Sequence, residues 1–242
     1  MAQPKAPAKT EKSEVARQRS SPSEVDAFLK QVKGLQPVGS GRGRLIFAMD
    51  ATMSRQPSWD LALELQADMF NAVKAVGGLD VQLVYFRGLG ECQASKWVGD
   101  PDALARLMRK VSCAGGYTQI RKVLAHARRE SETSKVNALI YVGDCMEEDV
   151  DELSQLAGEL GLIGVPVFVF QEGRDPKAER AFREIARLSR GAYCPFDAGS
   201  ARQLRELLTA VAVYATGGRK ALEDFGDETR SSAVIRLLEQ LG

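Results

Sequence analysis

Short apolar runs alternate with amphipathic stretches along most of this chain, and that alternation constrains its fold more than any other feature. Arg44–Asp50, Val81–Phe86, Val136–Val142, Val165–Phe170 and Ala192–Phe196 read as strands, dense in Val, Ile, Leu and Phe. Glu91–Trp97 is a shorter, more polar strand of the kind found at a sheet edge. Helical spacing covers Trp59–Val76, Pro101–Val111, Gln119–Glu130, Val150–Leu160, Pro176–Ser189 and Ala201–Ala215. Strands apolar on both faces, separated by helices, predict an α/β fold: a doubly wound, mostly parallel six-stranded sheet with helices on both faces. Such sheets bind ligands at the carboxyl ends of their strands. The loops after Met49, Val111 and Val142 are therefore where chemistry is expected.

Outside this block the chain changes character. Residues 1–22 hold Lys5, Lys9, Lys12, Arg17 and Arg19 against Glu11 and Glu14, with almost no large apolar residue, and read as a disordered polar arm. Residues 23–39 read as a short capped helix and the start of a Gly/Ser linker. The linker Gly39-Ser-Gly-Arg-Gly43 precedes a strand and lacks the Gly-Lys-Ser/Thr ending of a phosphate loop. The main domain is placed at 40–217. Residues 218–242 form a helical extension, with Val234, Leu237, Leu238 and Leu241 at helical spacing for packing on that domain.

Composition excludes several functions. The 33 Lys and Arg nearly balance 32 Asp and Glu, for a net charge of +1, which argues against binding nucleic acid by bulk charge. No apolar run follows the basic start as a signal peptide requires, and none approaches the roughly 20 residues of a membrane helix. A cytoplasmic protein without membrane contact is expected. The four cysteines lack CxxC spacing and read as reduced thiols. The sole histidine, His126, leaves no His-rich metal site and argues against a Ser-His-Asp hydrolase.

The first strand ends in Asp50-Ala-Thr52-Met-Ser54, one carboxylate and two hydroxyls on a tight loop. A Gly115-Gly116-Tyr117-Thr118 loop adds a third hydroxyl before the helix at Gln119, and Tyr141-Val-Gly-Asp144 adds a second carboxylate. An all-oxygen donor set selects a hard cation, Mg2+ or Mn2+, over zinc or copper. These donors fill fewer than six positions, so waters or a partner's carboxylate must complete the shell.

This constellation resembles the metal-ion-dependent adhesion site of von Willebrand factor A domains, through Asp50-x-Thr52-x-Ser54, Thr118 in a glycine-rich loop, and Asp144. The resemblance covers roughly residues 40–217 and implies a Rossmann-like fold with a short antiparallel third strand. It further implies that Asp50, Thr52 and Ser54 hold the metal, that Thr118 coordinates it in a high-affinity state, and that Asp144 acts mainly through water. The implied protein is a stand-alone intracellular bacterial type. It would be a non-enzymatic interaction module binding a partner's Asp or Glu, beside an AAA-type ATPase or in another assembly. The family usually has Ser where Thr52 stands and commonly Gly where Cys145 stands.

Blander readings accompany each feature. Asp50, Thr118 and Asp144 could singly be caps or turn residues. The acids Glu147, Glu148, Asp149, Asp151 and Glu152 suit a helix start, the alternative being a negative rim. Arg180, Arg183, Arg187 and Arg190, flanked by Glu179 and Glu184, read as a solvated, partly paired face. His126 reads as a helix-surface residue and Cys145 as a semi-buried thiol. A phosphatase resembling the haloacid dehalogenase superfamily would also begin with Asp50, but needs a proton-donating acid where this chain has Thr52. A structural scaffold with a vacant metal site is the remaining alternative.

Overall fold

The computed structural model describes residues 42–197 and 200–241. The arm expected at 1–22 and the helix and linker at 23–39 lie outside the described residues. Six strands run Gly43–Asp50 (β1), Leu79–Arg87 (β2), Glu91–Ala94 (β3), Ala138–Gly143 (β4), Val167–Glu172 (β5) and Ala192–Phe196 (β6). Helices span Gln56–Ala72 (α1), Pro101–Met108 (α2), Ile120–Thr133 (α3), Val150–Leu162 (α4), Pro176–Leu188 (α5), Ala201–Thr229 (α6) and Ser232–Gln240 (α7).

The strands form one sheet in the order β3-β2-β1-β4-β5-β6, parallel except for β3. β3 is shorter than the expected Glu91–Trp97, and only a bridge from Val98 to Val81 continues its pairing. Because side chains alternate along a strand, β1 sends Leu45, Phe47 and Met49 to one face and Ile46 and Ala48 to the other. On the first face they pack under α1, α2, α6 and α7, and on the second under α3, α4 and α5. Both faces are dry, which is why the parallel strands read as unbroken apolar runs.

Local signals fix the helix starts. Asp100 and Asp175 accept backbone N–H bonds at the first turns of α2 and α5, and each is followed by a proline that needs no donor there. α6 comprises two helical segments, and the first ends at a break two residues beyond the expected stop at Ala215. Gly218 adopts φ 69° and ψ −165°, a non-helical conformation that favours glycine, and kinks the chain between the two segments. The chain beyond the kink returns to the core through Leu222, Ala233, Val234 and Leu237, all fully buried. Gln240 of α7 also pairs with the main chain of Tyr193, accepting from its N–H at 2.8 Å and donating to its carbonyl at 3.0 Å. This covers part of the β6 edge. No helix among the described residues is long and apolar enough to cross a membrane.

Candidate metal centre

The strand order reverses direction between β1 and β4, which opens the crevice where doubly wound sheets bind ligands. Met49 pairs with Val142, so Asp50 at the end of β1 and Asp144 just beyond β4 emerge from adjacent strand ends. Asp50 is 1% exposed, and its Oδ1 accepts the Thr52 N–H at 2.7 Å, which closes the loop into a tight turn. The turn sets the Thr52 and Ser54 hydroxyls 3.4 Å apart, half-buried and exposed respectively. Burial pushes the Asp50 carboxyl up to about 6; the Thr52 bonds oppose that rise and the charge of Asp144 adds to it.

Two oxygens at this edge are orphaned. Asp50 Oδ2 and Asp144 Oδ1 are both buried without a hydrogen-bond partner. Buried carboxylate oxygens are ordinarily paired, so an unpaired couple on neighbouring strand ends marks a place for a cation or water.

Thr118 sits in the loop before α3, and two contacts hold that loop to the sheet edge. The Ala114 N–H donates to the Ala51 carbonyl at 3.0 Å, and the Tyr117 N–H donates to Gly88 at 3.0 Å. A Cβ on Gly116 would collide with the Gly88 backbone, so glycine is required at this crossing. The Thr118 hydroxyl donates to Glu147 Oε2 at 2.7 Å, and its N–H donates to the same oxygen at 3.1 Å. A hydroxyl whose proton points at a carboxylate keeps lone-pair capacity for another partner. Among the described residues no hydrogen bond joins Thr118 to Asp50, Thr52, Ser54 or Asp144. The first loop and Asp144 are thus brought together directly, while Thr118 is tied to the segment following Asp144.

Sequence reasoning missed Arg55 and Glu172. Arg55 Nη2 lies 3.2 Å from Asp144 Oδ2, and Arg55 Nη1 pairs with Glu172 Oε2. Ser58, at the start of α1, donates its hydroxyl to the same Glu172 oxygen. Gly143 pairs with Gln171, so Glu172 ends the strand next to Asp144. The only signal available was an acid at the end of a buried strand, the feature that singled out Asp50.

Comparison with solved structures decides the architecture. The chain superposes on a von Willebrand factor type A protein from Catenulispora acidiphila with a TM-score of 0.60 and 15% identity, over 73% of this chain and 43% of that one. It superposes on the SpRpn10 VWA domain with a TM-score of 0.56 and 12% identity, over 71% of this chain and 95% of that one. The fold is that of a von Willebrand factor A domain. A third such structure is proximal thread matrix protein 1 from the mussel byssus with a zinc-occupied MIDAS motif, at a TM-score of 0.57 and 19% identity, over 78% of this chain and 51% of that one. No protein-family model and no curated protein matches the sequence. This chain spans less than half of the Catenulispora protein.

Within this von Willebrand factor A fold the acidic segment after β4 divides into distinct roles. Glu147 holds Thr118. Glu148 reaches across to the start of α3, where Oε1 accepts the Ile120 N–H at 2.5 Å and Oε2 accepts the Arg121 N–H at 3.0 Å. Asp149 caps α4 through the N–H groups of Asp151 and Glu152. Glu148 and Asp149 thus satisfy helix starts, as the blander reading held, although Glu148 caps a helix distant in sequence, whereas Glu147 fixes the loop before α3. Among the described residues no group of three or more His, Cys, Asp or Glu is arranged to hold a metal, so any ion here would rely on two carboxylates and hydroxyls.

The other features are structural. His126 is not a free surface residue: it is half-buried, 2.8 Å from Gln82 Oε1, and burial lowers its pKa. Burial and Asp144 raise the pKa of the Cys145 thiol, which disfavours the reactive thiolate. On α5, Arg183 pairs with Glu179 and Arg187 with Glu184, while the Arg183 guanidinium lies 4.3 Å over the Tyr193 ring.

Proposed function

We propose that this domain is a metal-dependent protein–protein interaction module and not an enzyme. Asp50, Thr52, Ser54, Thr118 and Asp144 would hold Mg2+ or Mn2+. When bound, the ion supplies a Lewis-acidic position for an Asp or Glu side chain of a partner protein. The observation that carries this reading is the pair of buried, partnerless oxygens, Asp50 Oδ2 and Asp144 Oδ1, on adjacent strand ends. Their all-oxygen surroundings favour a hard divalent ion. The zinc-occupied site of proximal thread matrix protein 1 supports the capacity of this fold to hold a divalent metal. An AAA-type ATPase or another assembly component, the partner class implied by the resemblance, is the first to test.

One observation favours a scaffold whose site stays without metal: Arg55 already places a positive charge on Asp144. The phosphatase reading gains nothing comparable, because Thr52 stands where the second acid would be, and its N–H is bonded to Asp50.

Isothermal titration of chelator-treated protein with Mg2+ and Mn2+ separates these readings. Saturable heat in the wild type that vanishes in Asp50→Ala supports the module. The absence of binding by either ion to the wild type refutes it. Partner capture that requires the ion and fails in chelator would tie the metal to recognition.

A further inference from the structure

The edge that carries Asp50 and Asp144 also carries a fixed positive charge. β1, β4 and β5 are consecutive strands, so Asp50, Asp144 and Glu172 emerge from three neighbouring strand ends spaced by roughly 4.8 Å. Arg55 directly follows Ser54 and turns inward, with a side chain only 13% exposed. Its guanidinium is held between two carboxylates: Nη2 is 3.2 Å from Asp144 Oδ2, and Nη1 pairs with Glu172 Oε2. Glu172 is itself fixed by the Ser58 hydroxyl. The planar fork of arginine suits this bridging of two acids.

Arg55 neutralises Asp144 without completing it. Oδ2 faces the guanidinium while Oδ1 remains buried and partnerless, as does Asp50 Oδ2. A divalent ion drawn to those two oxygens must share Asp144 with a guanidinium already on its other oxygen. Like charges on one carboxylate repel, and the partial burial of the site weakens solvent screening of that repulsion.

We propose that Arg55 is a tethered competitor for the metal, occupying the outer oxygen of Asp144 and holding divalent-cation affinity down. Glu172 gives the guanidinium a second carboxylate to retain when Asp144 is claimed by the ion. The site is then a switch between an internally paired state and a metal-loaded state, with Arg55 setting the balance between them. The inference rests on the metal-binding reading of the same site and adds the residue that regulates it.

The test is Mn2+ titration by calorimetry of the full chain as wild type, Arg55→Met, Arg55→Gln and Arg55→Lys. Melts in chelator establish that each variant is folded. Both neutral variants are expected to bind Mn2+ at least tenfold more tightly than wild type, and Arg55→Lys within about threefold of it. A second readout is the Mn2+-induced rise in melting temperature, which should be larger in the neutral variants. Arg55→Gln keeps a polar group beside Glu172 and serves if Arg55→Met does not fold. Equal Mn2+ affinity in the wild type and the neutral variants would overturn the role of Arg55 while leaving the metal site standing. Weaker binding in the neutral variants would overturn it too, making Arg55 a support for Asp144. If none of the proteins binds Mn2+, the metal-binding reading fails and this inference falls with it.

Discussion

Asp50→Asn separates the two demands placed on this position. In the metal-free protein a buried carboxylate is a burden. Its pKa rises from 3.8 to about 6, chiefly through loss of water, so the folded state holds a proton that the unfolded state releases. That difference of about two units corresponds to about 3 kcal/mol, present below pH 4 and lost as the pH rises through 6. About 2 kcal/mol of it falls between pH 4.5 and 7.5. Asparagine keeps the Oδ1 that accepts from Thr52 and removes the titration. Any cost of burying the amide, about 1–3 kcal/mol, is independent of pH and cancels when each protein is compared with itself. Urea unfolding in chelator at pH 4.5 and 7.5 is the assay. The wild type should lose about 2 kcal/mol more than Asp50→Asn between the two pH values. With Mg2+ at a hundred times its dissociation constant the wild type should recover about 2.7 kcal/mol at pH 7.5, and Asp50→Asn should recover none. Equal pH dependence in the two proteins would refute the argument that burial strains this carboxylate.

Individual contacts carry further predictions. Glu148→Ala frees the Ile120 and Arg121 N–H groups at the start of α3 and should cost about 1 kcal/mol by urea unfolding. Glu147→Ala removes the acceptor that orients Thr118 and should weaken Mn2+ binding by calorimetry while leaving the fold intact. Gly116→Ala drives a methyl into the Gly88 backbone, with an expected loss of about 1–3 kcal/mol and reduced Mn2+ affinity. Leu237→Ala, at a fully buried position of α7, should cost about 2–5 kcal/mol in a single cooperative transition. A separate, earlier unfolding step would show that the C-terminal helices are not part of the core.

The fold was legible because each strand is buried on both faces, so apolar density alone marked β1, β2, β4, β5 and β6. Gly218, in the run Gly217-Gly218, has the non-helical backbone that separates the two segments of α6. The chain beyond that break turns helical again and has core to bury against, through Leu222 of the second segment and Leu237 of α7. At the site, Asp50, Thr52 and Ser54 could be grouped from sequence because one turn joins them, and Asp144 because sheet topology places it beside β1. The contacts of Thr118 were not legible, since its partner Glu147 lies 29 positions away. Nor was Arg55, whose two partners meet only because β4 and β5 are parallel neighbours.

That asymmetry has a physical origin with a functional consequence. Groups that attract an ion must converge on one point, so their types and spacing recur along the chain and can be read from it. A group that opposes the ion needs only to lie within reach of one of those carboxylates, and many positions and residue types can do so. Nothing in the sequence pattern set Arg55 apart from the chain's other arginines. Its side chain is nonetheless largely withdrawn from solvent and shared between Asp144 and Glu172. Motif matching therefore identifies where a cation could sit, whereas how tightly it is held depends on a neighbour the motif does not contain. On the proposal for Arg55, the charge at the position after Ser54 sets how tightly this edge would hold a divalent ion. In this chain that charge is positive, and it points inward.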